Sequence, residues 1–428
     1  MSRLLTLALA LSATGAHAQA PTVRIYRNLT LQRGDGSEAI LDASIVVRGD
    51  AITYAGPSAG APAPTGAEIV ELEDGAVATP GLVAVGAPIG LVEIDLEAGT
   101  RDHETEDEAA DSVRAAFTAA EGYNPDSTLI PVTRLGGVTA AVSTPTGGLI
   151  SGVSAYVHLG EVREPADLVG TVRNAAAALH VDLGDGGIAA EEGTMPTALS
   201  RFREVLEDAK LYGTQRRAYD RRGLREMRVS RLDLERLQPA LAGDVPVVVS
   251  VSRAADILRV LAIAEEFGLD LILSGAEEGW RVAQAIAAAE VPVIVQPLTN
   301  LPSTFRRLGS RYDNAKLLHD AGVTLILATS GAHDLRNLRQ EAGNAVRFGL
   351  PAEVALQAVT QTPAARFGPR ERGTPPHTLA SGARADLVVW SGDPFEMSTR
   401  PLHIVIGGEP QPLTSRQTEL RDRYRQLP

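Results

Sequence analysis

The sequence contains no cysteine, which excludes disulfides and thiolate metal sites and leaves histidine and carboxylates as the strong protein ligands for a metal. Lysine is almost missing too: Lys210 and Lys316 stand alone among 428 residues. Positive charge is in deficit, 40 basic against 53 acidic side chains for a net charge of −13, which argues against nucleic acid or an anionic membrane as partner. No stretch reaches the ~20 unbroken apolar residues a membrane span needs. The glycine-rich stretch 145–152 has neither of the spacings that cradle phosphates, so no nucleotide site follows from it. The arginine-rich stretch 212–231 lacks interleaved aromatics and alternates with acids. It reads as an exposed helical excursion rather than a binding patch.

What is present is an ordinary globular composition, 44% hydrophobic, over a length that suggests two domains or one large barrel with a satellite. The first residues stand apart. Arg3 is followed by a mostly apolar run over 4–11, and Ala16, His17 and Ala18 form a small-x-small cleavage signal. The expectation is a signal peptide over residues 1–18, with Gln19 opening a periplasmic or secreted mature chain. Residues 22–72 hold short β segments at 23–26, 44–48 and 51–54, parted by glycine and aspartate turns. Matching apolar segments return at 382–390 and 402–406. Asn28-Leu-Thr30 fits a glycosylation acceptor, a pattern so frequent by chance that it carries no weight.

From Asp244 the pattern turns strongly periodic. Apolar strands at 245–250, 269–273, 291–295 and 323–327 alternate with helical stretches, one of which carries Ile257, Leu261, Ala264 and Phe267 on one face and stops at Gly268. Such alternation predicts parallel β/α packing, in either a closed barrel or an open doubly wound sheet.

The stretch from Ala78 to Gly90 decides between them by resemblance. Pro80 and Gly81 make a break, Leu82 to Val85 reads as a short buried strand, and Gly86, Ala87 and Pro88 end it. This resembles the first barrel strand of the amidohydrolase superfamily, where Pro-Gly-Leu-Ile-Asp-x-His-x-His delivers two metal ligands from residues that share one side of a strand. Similar stretches follow in order: Arg134 to Thr139, Arg253 to Ile257, Arg336-Asn-Leu-Arg-Gln-Glu-Ala-Gly-Asn-Ala-Val-Arg347, and Ala383-Arg-Ala-Asp-Leu-Val-Val-Trp-Ser-Gly-Asp-Pro394. The resemblance, to the imidazolonepropionase-related, prolidase-like branch, covers nearly the whole mature chain. It implies an α/β fold: a (β/α)8 TIM-like barrel over residues 78–376, a small β-sandwich built from 19–77 and 377–412, and a tail over 413–428.

Relatives of that kind hold divalent metals on two strand-one histidines, one histidine each on strands five and six, and an aspartate on strand eight. The metal lowers the pKa of a bound water, whose hydroxide attacks a carbonyl. Carried over by resemblance, those positions are Gly86 and Pro88 on strand one, Ser250 or Ser252 on strand five, Ser274 on strand six and Ser330 on strand eight. The carboxylated lysine that some relatives carry on strand four has no counterpart here. Glycine and proline supply no side-chain ligand, and a neutral serine hydroxyl is a poor one beside imidazole or carboxylate. The expectation is an exported amidohydrolase-family protein with vestigial ligand positions and no cofactor, serving as a non-catalytic or partner subunit. Its partner would be a ligand-intact paralogue or a second copy, and its ligand a small amide or peptide. The alternative is a hydrolase of carbon–nitrogen bonds other than standard peptide bonds, with a non-standard metal set, zinc for example, or none.

Replacement groups are few. His180 and Asp182 have same-side strand spacing and are candidate metal ligands, as is His103 in the acidic run 101–111. A satisfied strand-end pair and a solvated loop are the plainer readings of these. His333 and Asp334, close behind Ser330, superficially suggest base and acid beside a hydroxyl, but triads are assembled in space rather than along the chain. Glu93 and Asp95 read as solvated loop carboxylates.

Overall fold

The computed structural model describes residues 22–104, 111–191, 193–370 and 377–425. The expected signal peptide and most of the acidic run lie outside the described residues.

Two eight-stranded sheets carry the chain. The first begins with β1 (Val23–Leu31), β2 (Ile40–Arg48), β3 (Ala51–Pro57), β4 (Glu68–Glu71) and β5 (Val77–Pro80). The second comprises β6 (Leu82–Ala87), β7 (Val138–Ser143), β8 (Ile150–His158), β9 (Val172–Asp182), β10 (Val247–Val251), β11 (Leu271–Gly275), β12 (Val293–Val295) and β13 (Leu325–Leu327). The chain then returns to the first sheet with β14 (Leu387–Trp390), β15 (Pro401–Ile406) and β16 (Glu409–Pro410). There β14 pairs with β5 and β15, so both ends of the chain build one sheet around the other. Its core gathers Tyr26, Leu31, Ile45, Leu387 and Val405.

The second sheet runs in sequence order from β6 to β13 and curls into a nearly closed, TIM-like barrel. One face of its strands packs on helices through Val249, Leu273, Val295 and Leu327. The alternate residues, Val83, Val85, Val142, Ala178, Val248, Ile272, Ile294 and Ile326, fill the interior. This is the two-residue side-chain period of strands closed on itself. In the second half the expected helices form: Ala254–Phe267 ends at Gly268, whose φ of 69° is the left-handed cap that glycine adopts without strain.

The first half departs from simple β/α alternation. β8 runs antiparallel to both β7 and β9, whereas the other strands are parallel to their neighbours in this sheet. The connection from β7 to β8 is the glycine-rich loop, with Gly147 and Gly148 at φ 84° and 69°. A parallel crossover needs a dozen or more residues, and so short a loop leaves only a hairpin. The stretch 212–231 also corrects expectation in part. Its arginines are exposed, but Tyr212 ends helix Met195–Thr214 inside the core, edge-on to Tyr219 at 4.9 Å, and Arg225 is paired with the buried Asp208.

Candidate functional site at the barrel mouth

The C-terminal ends of the parallel strands form the mouth, where barrel folds keep their reactive groups. Register aligns one row of it. Ser250 stands opposite Asp182 on β9 and Ser274 on β11, and Ser274 stands opposite Ile294 on β12. Residues in register share a face, so Asp182, Ser250 and Ser274 line the interior together. One layer deeper, His180 aligns with Val248 and Gly152.

On β6, pairing with β7 slips between Val85 and Ala87, and the residue left over is Gly86, at φ 82°. A Cβ built there would meet nothing within 4 Å. The position faces open space, yet its backbone lies where an L side chain is strained. Pro88 is half-buried just beyond the strand, and Ser330 is exposed in the loop after β13. Ser252 is buried and its carbonyl accepts from the Glu278 amide. As a donor set, Gly86, Pro88, Ser250, Ser274 and Ser330 do not fit a divalent metal, because none offers an imidazole or a carboxylate.

Of the replacement candidates, His180 and Asp182 do share the interior. The Asp182 carboxylate accepts from the amides of Gly184 and Gly187 at 2.7 and 2.8 Å, capping helix Asp185–Ala190. Burial raises its pKa against the pull of those amides. His180 is buried with Nε2 unpartnered, and desolvation pushes its pKa down to about 3, so the ring is neutral at pH 7. His103 is buried elsewhere, in the loop after β6, with Nε2 at 3.7 Å from Glu104 and Nδ1 unpartnered. His333 Nε2 lies 3.6 Å from Asp95 at the surface, both side chains exposed, in keeping with the solvated-loop reading of Asp95. Asp334 accepts a long 3.4 Å bond from Asn337. Among the described residues no hydrogen bond joins Ser330, His333 and Asp334 into a relay. Glu93 accepts from the Thr128 hydroxyl and amide, so it too is a structural acceptor.

Four charged residues at the mouth were not singled out from the sequence. Glu277, just past β11, is buried and lies 3.2 Å from the Nε of Arg307, which comes from the loop after β12. Arg307 is also among the groups that oppose the burial-driven rise of the Asp182 pKa, so one guanidinium stands near two carboxylates. Beside it, Arg306 pairs with Asp185 at 3.0 Å. Glu341, inside the motif 336–347, is buried and accepts from the Leu298 amide at 2.7 Å. Desolvation raises its pKa to about 7. Only its burial, with Asp334 nearby, distinguishes Glu341 from any helical glutamate, and a single sequence does not display burial.

The architecture has clear counterparts. An amidohydrolase from Thermotoga maritima MSB8 superposes with a TM-score of 0.79 over 92% of this chain and 100% of that one, at 24% identity. The chain has the amidohydrolase fold. The ochratoxinase of A. niger is similar to this amidohydrolase-fold chain more loosely, with a TM-score of 0.53 at 18% identity over 91% of this chain and 96% of that one. In sequence, 97 residues are 32% identical to amidohydrolase tasK of Hapsidospora irregularis, which is 22% of this amidohydrolase-fold chain and only 10% of that protein. No protein-family model matches.

Proposed function

We propose that this amidohydrolase-fold protein is an exported binding or partner subunit that has given up metal-hydroxide hydrolysis and uses its barrel mouth for a small amide or peptide ligand. The observation that carries this reading is the mouth row itself. Serines stand at Ser250 and Ser274, and Gly86 sits in a bulge whose φ of 82° disfavours any imidazole. The polar groups there can still recognise an amide: serine hydroxyls donate and accept, and Arg307 between Asp182 and Glu277 supplies oriented charge. The partner would be a paralogue with intact ligands, or a second copy of this chain.

The first experiment is the metal content of untagged protein from its native compartment, by plasma mass spectrometry, before and after incubation with excess zinc. We expect well under one equivalent in both. A tightly held zinc, manganese or iron near one per chain overturns the reading and redirects attention to His180, Asp182, His103 and His333. The mass of the mature N-terminus tests export in the same preparation, with Gln19 expected first.

A second reading, hydrolysis of carbon–nitrogen bonds outside standard peptides, is favoured by the likeness to amidohydrolases together with the unpartnered His180 Nε2 inside the barrel. Turnover of small amides or dipeptides that survives repurification and is abolished by a chelator would establish it in place of the first.

A further inference from the structure

The connection from β12 to helix Asn314–Asp320 takes 18 residues, 296–313. Connections of that length in a compact fold are mostly functional. This one is fastened at a neck. The buried Asn300 side chain donates to the Arg311 carbonyl at 2.9 Å, which draws the two arms together. On the incoming arm the Leu298 amide donates to Glu341. On the outgoing arm the Gly309 amide donates to Glu278 at 3.1 Å, and its carbonyl accepts from the Trp280 indole at 2.8 Å.

Beyond the neck lies an apex, 301–308, with a different anchorage. Among the described residues its polar ties to other elements are two ion pairs: Arg306 with Asp185 at 3.0 Å and Arg307 with Glu277 at 3.2 Å. Large apolar side chains do not hold it, since Phe305 is 90% exposed and Leu308 62%. The two arginines are the tucked-in residues, at 23% and 35% side-chain exposure. This inverts the usual order, in which a phenylalanine is buried before a neighbouring arginine.

The same pairs fix where the apex lies. In the barrel order β12-β11-β10-β9, Glu277 follows β11 and Asp185 opens the helix after β9. A loop that leaves β12 and touches both passes over the ends of β11 and β10, three strand spacings or about 14 Å in all. Those ends carry Ser274 and Ser250, both half-buried. Each pair keeps one partner substantially exposed, Asp185 in the first and Arg307 in the second. Ion pairs open to water contribute little each and weaken with salt.

We propose that the apex 301–308 is a strap latched across the barrel mouth by Arg306 and Arg307, and that breaking both pairs uncovers Ser250 and Ser274 for a ligand. The ligand part rests on the proposed reading of the mouth as a binding site, whereas the strap is tested without any ligand. Closed, the apex shades the serine row. Open, it swings on arms that stay fastened at the Asn300 neck.

The chain has no cysteine, so Ser250→Cys places a single thiol under the apex. The readout is its rate of alkylation by iodoacetamide, a neutral probe, followed by intact mass in the full chain. Ser37→Cys, exposed in the loop between β1 and β2, is the control. We expect Arg306→Gln combined with Arg307→Gln to raise the Ser250→Cys rate about tenfold and to leave the control unchanged. Loss of a guanidinium beside a thiol by itself raises the thiol's pKa and slows alkylation, so an increase reports access. Raising NaCl from about 0.01 to about 1 M shortens the screening length from about 30 to about 3 Å, and should accelerate the latched protein several-fold and the double variant little. Arg306→Asp should be fast alone and slow again when combined with Asp185→Arg. Ser274→Cys repeats the series should Ser250→Cys fail to fold. A rate unchanged in the double variant, an equal salt response with and without the latch, or a charge swap that stays as fast as Arg306→Asp each overturns the strap. An unlatched mouth that still takes up no small amide or peptide leaves the strap standing and removes the binding reading instead.

Discussion

At the scale of single residues, His180 is the most exposed to a direct test. An unfolded histidine titrates near pH 6.5, whereas the buried ring titrates at about 3. Between those values the unfolded chain binds a proton that the native chain refuses, so this residue withdraws stability as pH falls below about 6.5. His158, at about 4, acts with the same sign over a narrower window. Glu341 opposes them: its pKa, raised to about 7, makes the native state the better proton binder below that pH. A His180→Leu variant therefore isolates one contribution. Its stability relative to wild type should grow by about 1.4 kcal/mol per pH unit as pH drops from about 6.5 toward 5, read from urea unfolding at several pH values. A difference that stays constant with pH would mean the ring is charged or solvated in the native state. The sequence displayed His180 and Asp182 on one face of a strand. It did not display that Asp182 is engaged by two amides while His180 has an unpartnered Nε2, because those partners come from the following turn and the neighbouring strands.

At the scale of elements, two short devices set the barrel's shape. The first is the cap: Asp182 closes β9 and opens helix Asp185–Ala190. Asp182→Ala should cost about 1–2 kcal/mol in chemical denaturation, and Asp182→Asn less, because an amide oxygen keeps one of the two bonds. The second is the hairpin from β7 to β8. Gly148 has φ 69°, and a Cβ there would stand 2.6 Å from the Ser112 carbonyl oxygen. Gly148→Ala should destabilise by about 2 kcal/mol through strain and backbone displacement together, measured as a shift in the denaturation midpoint. The same loop was legible as glycine-rich, but its effect was not. A pattern of apolar strands is the same whether β8 runs up or down, and the direction follows from loop length and from which neighbours remain to pair. The helix ending at Gly268 was fully legible, since its apolar period and its stop signal are local.

At the scale of the whole molecule, a barrel stabilised by layers of side chains needs no metal for its core. Strong chelator should leave the thermal midpoint unchanged, whereas a fall of several degrees that zinc reverses would expose a resident ion. Among the described residues no helix is long and apolar enough to cross a membrane. Trp390, fully buried, sits on β14 of the first sheet, where its indole donates to Thr79 of the neighbouring β5 at 2.9 Å, and its ring packs into the barrel's own core cluster against Gly137. It lies in the closing motif that resembled the family.

By itself the sequence determined the elements with local signals: the apolar strands from Asp244 onward, the helix stop at Gly268 and the return of β segments at the chain's end. Those depend on side-chain chemistry and on spacing within about twenty residues, which a single chain displays in full. Only the tertiary structure decided which of these meet. It aligned Asp182, Ser250 and Ser274 in one row, placed Arg307 near two carboxylates, and turned β8 so that His158 faces Asp386 from more than two hundred residues away. Register and strand direction are settled by pairing between distant segments, and the free energy of that pairing is distributed over the whole barrel rather than written in any one stretch.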